Sequence, residues 1–90
     1  MPSYLVETYL ARSQAGERAA RERRAQSAAE QLTHDGTSVR LQRSIHVPED
    51  EICFFLFDAP SGREAALAAQ LAELDAIRVV EAVSSRKEET

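Results

Sequence analysis

Six consecutive apolar residues, Ile52-Cys53-Phe54-Phe55-Leu56-Phe57, constrain this 90-residue chain more than any other feature. Six is too short for a buried helix and suits a strand, and a strand apolar on both sides belongs in the middle of a sheet with both faces covered. A chain of this size buries only about 60–65% of its unfolded surface, so it has little material with which to cover two faces.

The flanking sequence says what surrounds that strand. Residues 4–10 are rich in Tyr, Leu, Val and Thr, with Glu7 among them, and predict a first strand. From about Gln14 to His34 the residues become Ala, Arg, Glu and Gln, strong helix formers, with Ala15, Ala19, Ala25, Ala29 and Leu32 as a stripe of small apolar side chains. Asp35-Gly36 is the expected end of this helix. Ser38 to Val47 alternates, with Val39, Leu41, Arg43, Ile45 and Val47 on one face and Arg40, Gln42, Ser44 and His46 on the other, as in a strand more exposed than its neighbour. After the turn Pro48-Glu49-Asp50-Glu51 comes the apolar strand, which Asp58-Ala59-Pro60 breaks. Ser61-Gly62-Arg63-Glu64 has the form of a capping box and predicts a second helix with Leu67, Leu71 and Leu74 on its apolar side. Ile77 to Val83 is a fourth strand, and 84–90 a polar tail after a single domain spanning 1–83.

The order strand, helix, strand, strand, helix, strand is that of an α+β ferredoxin-like sandwich, with a four-stranded antiparallel sheet, two helices on one face and the first strand between the third and the fourth. The second face of the sheet is left bare. An uncovered apolar face of that extent predicts a homodimer packed sheet against sheet, or closed into a shared barrel.

Composition narrows the function classes. A formal charge of −4 and a pI near 5.1 argue against a nucleic-acid partner. The one basic run, Arg18, Arg21, Arg23 and Arg24, is interleaved with Glu17 and Glu22 at helical spacing and reads first as a solvated, self-paired helix face. An anion or partner patch on that helix is the other reading. The sequence has neither a signal-peptide pattern nor a run of about 20 apolar residues, which predicts a cytoplasmic protein without a membrane partner. Cys53, the single cysteine, forms no internal disulfide and reads as a small buried hydrophobe. Phosphate loops, Cys-x-x-Cys pairs and nucleophile elbows do not occur.

What remains are two glutamates on apolar strands at opposite ends of the chain, Glu7 and Glu81. If the first and last strands are neighbours, the pair is a candidate for one sheet face, where two close carboxylates need a shared proton or a cation. His46 would add an imidazole and make a donor set suited to nickel or another divalent transition metal. The plainer alternative pairs Glu7 with Arg78 or Arg43 as a structural ion pair. A third reading makes the open face an enzyme pocket, with Glu7 as base and Tyr9 and His46 as hydrogen-bonding partners.

The segments Tyr4-Leu5-Val6-Glu7, Val47-Pro48-Glu49-Asp50-Glu51, Cys53-Phe54, Asp58-Ala59-Pro60-Ser61 and Arg78-Val79-Val80-Glu81-Ala82 together resemble a family of short bacterial ferredoxin-like proteins of unknown function, some described as nickel-binding. The resemblance spans Tyr4 to Val83. It implies a small cytoplasmic homodimer akin to the dimeric α+β barrel proteins, a group that includes cofactor-free monooxygenases. It also makes nickel a conceivable cofactor. At position 46 many such relatives are expected to carry an aromatic or apolar residue, where this chain has His46. The function expected from these readings is the binding of a small ligand or a transition-metal ion without catalysis, at metal-site residues Glu7, His46 and Glu81, with a monooxygenase-like or isomerase-like enzyme as the alternative.

Overall fold

A computed structural model describes residues 1–84, so the expected tail falls outside the described residues from position 85 onward. The elements follow the expected order: β1 (Ser3–Tyr9), α1 (Arg18–His34), β2 (Arg40–Val47), β3 (Ile52–Asp58), α2 (Gly62–Leu71) and β4 (Arg78–Ala82), with short 3-10 turns at Arg12–Glu17 and Pro48–Asp50. The strands form one antiparallel sheet in the order β2-β3-β1-β4. This is the ferredoxin-like α+β arrangement, with β1 between β3 and β4.

Alternation along the two central strands decides which side of the sheet is core. Val6 and Thr8 of β1, then Leu10, and Cys53, Phe55 and Phe57 of β3 are buried on the helix side, where the Thr8 hydroxyl donates to the Cys53 carbonyl at 2.8 Å. The helices meet this layer through small residues: Ala25, Ala28, Ala29 and Leu32 of α1, Ala65, Ala68 and Ala69 of α2, and Ala72 and Leu74 just beyond it. Alanine stripes let helix backbones lie close to a sheet, so the bulk of this core comes from the strands.

Three expectations about the helices are corrected. The segment before Arg18 is a 3-10 turn interrupted at Gln14, so Ala15 and Ala19 stay exposed and the buried stripe runs through Ala28 instead. In α2, Leu67 and Leu71 face outward, 41% and 51% exposed, because the alanines one residue away occupy the contact with the sheet. The capping box is also modified. The Ser61 side chain accepts from the Arg63 N–H at 3.3 Å, and its hydroxyl donates to the Glu64 carboxylate, which holds the Glu64 carboxyl below its ordinary value. At the end of α1, Gly36 takes φ 105°, a left-handed turn open to glycine, and the Thr33 hydroxyl then bonds both the N–H and the carbonyl of Val39 to launch β2.

Candidate functional site on the open sheet face

The face of the sheet turned away from the helices is lined by alternate residues of each strand. β1 contributes Ser3, Leu5, Glu7 and Tyr9, and β3 contributes Ile52, Phe54, Leu56 and Asp58. Leu5 lies across from Leu56 on one side and Val80 on the other. The middle is therefore an apolar floor, with Ile45 of β2 opposite Phe54.

β2 departs from strict alternation. Its register against β3 slips between Leu41 and Arg43, a β-bulge at Gln42. Beyond a bulge every side chain changes face relative to simple alternation. Leu41 still points to the helices, but Arg43, Ile45 and Val47 now stand on the open face opposite Leu56, Phe54 and Ile52, and Ser44 and His46 turn to the helix side opposite Phe55 and Cys53. The regular alternation read from the sequence thus holds up to Leu41 and inverts for Ser44 and His46.

At one end of the open face the bulge gathers a polar cluster around Asp58. Arg40 donates to one carboxylate oxygen of Asp58 from Nε at 3.2 Å and from its terminal nitrogen at 2.7 Å. The Ser3 hydroxyl donates to the other oxygen at 2.8 Å, and the Gln42 amide donates both to that oxygen and to Ser3 Oγ. Asp58 is almost fully buried by these partners. Burial works to raise its carboxyl, but the donors Arg40, Ser3 and Gln42, with the Arg40 charge, outweigh it and hold the group below its ordinary value.

Glu7 stands four residues along β1 from Ser3, about 13 Å at strand rise. It accepts from Arg78 Nε at 2.8 Å, the plainest of the sequence readings. Glu81 does not join it. In the β1–β4 register Glu7 faces Arg78 while Glu81 faces Tyr4, so the two glutamates lie on opposite sides of the sheet. An odd sequence offset between the two positions across the register separates them, and no local pattern in either strand reveals that offset. His46 lies on the helix side of β2, and its Nε2 is buried without a hydrogen-bond partner. Within one chain Glu7, His46 and Glu81 therefore do not converge, and among the described residues no three His, Cys, Asp or Glu side chains are grouped closely enough to hold a metal ion.

The helix side shows what the arginine run does. Arg18 pairs with Glu22 at 3.5 Å and donates to Ser44 Oγ at 3.2 Å, and the Ser44 hydroxyl donates to Glu22. Arg21 donates to the Tyr9 carbonyl at 3.0 Å, and Arg24 to the carbonyls of Ala72 and Glu73 at 2.9 and 3.3 Å. Arg23 instead lines a groove between the helices beside Leu71. Arg18 with Glu22 and Arg21 with Glu17, the latter at 3.8 Å, are the pairs along the helix that the self-paired reading expected, whereas the ties of Arg18, Arg21 and Arg24 to other elements go beyond a solvated face. Cys53 is fully buried beneath this layer, and burial pushes its thiol up against the opposing pull of Arg21 and Arg18.

The residues that sequence reasoning missed are Ser3, Arg40, Gln42 and Asp58. Their only signal was an acid closing a wholly apolar strand, which reads as a strand breaker until the bulge places its partners. Among the described residues, no helix is long and apolar enough to cross a membrane. Compared with protein-family models, with curated proteins and with solved structures, the chain matches none of them.

Proposed function

We propose that this chain is a small homodimeric binding protein in which two sheets face one another and hold a small ligand between them, without catalysis of their own. The observation that carries this reading is the open face itself. Leu5, Leu56 and Val80 form an apolar row between the Asp58 cluster and the Glu7–Arg78 pair, and Phe54 and Ile45 extend it alongside Glu7, on strands whose opposite side is already the core. Four strands about 4.8 Å apart and about seven residues long span about 19 × 23 Å, or about 440 Å² per partner, less than the about 600 Å² a stable interface needs, so side-chain relief and a bound ligand have to add to the contact.

The binding reading is favoured over the enzyme reading because Glu7, the base in the latter, is engaged by Arg78, and His46 points to the other side of the sheet. A nickel or zinc form would have to draw ligands from both protomers. Sedimentation velocity on the purified chain tests the assembly. The wild type is expected to run as a dimer, and Phe54→Glu as a folded monomer with unchanged far-ultraviolet circular dichroism. A Phe54→Glu variant that sediments like the wild type rules out the sheet face as the contact.

A further inference from the structure

We infer that the open face takes a small organic anion, a carboxylate on an apolar body, with Arg43 as the cation that holds it; the inference rests on reading this face as the ligand seat between two copies. The bulge at Gln42 is the device that creates the opportunity. Strict alternation would send Arg43 to the helix side with Leu41, whereas the bulge stands Arg40, Gln42 and Arg43 together on the open face within four residues.

The charges on that face do not balance. Three guanidiniums, Arg40, Arg43 and Arg78, meet two carboxylates, and both carboxylates are taken: Asp58 by Arg40 at 2.7 Å and Glu7 by Arg78 at 2.8 Å. Arg43 makes no ion pair among the described residues and stands opposite Leu56 beside the apolar floor. The next carboxylate, Glu51, lies past the far end of the strands and is occupied by the Arg12 N–H and the Tyr9 hydroxyl. On a chain of net charge −4, this face carries a surplus cation.

A second copy laid over the face would take Arg43 out of water without a counter-charge, twice in a symmetric pair, and an uncompensated charge in an interface is strongly unfavourable. An anionic ligand removes that penalty. A carboxylate matches the planar fork of a guanidinium, and a hydrocarbon body matches Leu5, Ile45, Phe54 and Leu56, a floor that an inorganic anion would leave unused.

Amide-detected NMR titrations of the full chain with hexanoate, hexanamide, inorganic phosphate and nickel chloride, paired with sedimentation velocity, test this. Hexanoate is expected to bind at least about tenfold more tightly than hexanamide or phosphate, with shifts centred on β2 and β3, and to tighten self-association, since a ligand that binds the dimer favours it. Arg43→Gln is expected to erase the preference for hexanoate over hexanamide and to dimerise more tightly than wild type in the absence of any anion. Equal binding of hexanoate and hexanamide, an Arg43→Gln variant that keeps the preference, or a response to nickel with none to hexanoate would each overturn the anion proposal. A chain that stays monomeric yet keeps the hexanoate preference overturns the two-copy reading and upholds the anion site. A dimer indifferent to the charge of the ligand does the reverse.

Discussion

Asp58 shows how one side chain can anchor a polar cluster on an apolar sheet. Its carboxylate collects Arg40, Ser3 and Gln42 from the starts of two other strands, which converts a costly buried acid into a fastening. Since the folded carboxyl titrates below its ordinary value, the stabilisation is fully present above the unfolded value of about 3.9 and is lost as pH falls through the lower folded one. Asp58→Asn is accordingly expected to lose about 1.5–3 kcal/mol in urea unfolding at pH 7, a gap that closes as the wild-type group protonates in acid. A gap that persists undiminished at the lowest pH at which both proteins fold would show that charge is not what the cluster uses. From sequence alone Asp58 reads as the end of a strand, because its partners lie 16, 18 and 55 residues away. Glu7, by contrast, was legible in its plainer form: an acid on an apolar strand with an arginine one residue ahead of the Val-Val-Glu of the last strand.

At the scale of elements, the fold was legible because period and punctuation agree. The doubly apolar β3, the alanine-rich helices, Gly36 and the Ser61 cap each point to the same six-element order. The bulge was not legible, since one extra residue leaves composition and apolar content untouched while inverting every side chain after it. His46 was misplaced for that reason alone. The helices carry a second lesson: their contacts run through alanine, and the larger Leu67 and Leu71 stay outside, so side-chain size misleads about which stripe is core. What ties α1 to α2 besides packing is Arg24, whose guanidinium caps the carbonyls at the end of α2. Replacing it, Arg24→Leu, is expected to cost about 0.5–1.5 kcal/mol in thermal or urea unfolding. Arg23→Leu, which removes a groove-lining side chain, is expected to stay within about 0.5 kcal/mol. Equal losses in the two variants would mean that helix charge, rather than the cap, matters.

The whole molecule is a slab, 36 × 35 × 19 Å, with a radius of gyration of 13.0 Å for its Cα atoms. A two-layer fold with one bare side has this shape, and the shape separates modes of assembly. Two copies stacked about 19 Å apart would give a radius of gyration of about 16 Å, and two joined edge to edge about 35 Å apart would give about 22 Å. Small-angle X-ray scattering over a concentration series is expected to rise from the monomer value towards the smaller of these, and a limit near the larger would assign assembly to the β2 or β4 edge instead. The slab has a further consequence through Cys53, which is wholly covered where α1 rests on the sheet. A thiol reagent can reach it only when the helix layer lifts, so the single cysteine is a built-in timer, and its rate of alkylation counts the openings of the fold without any added label.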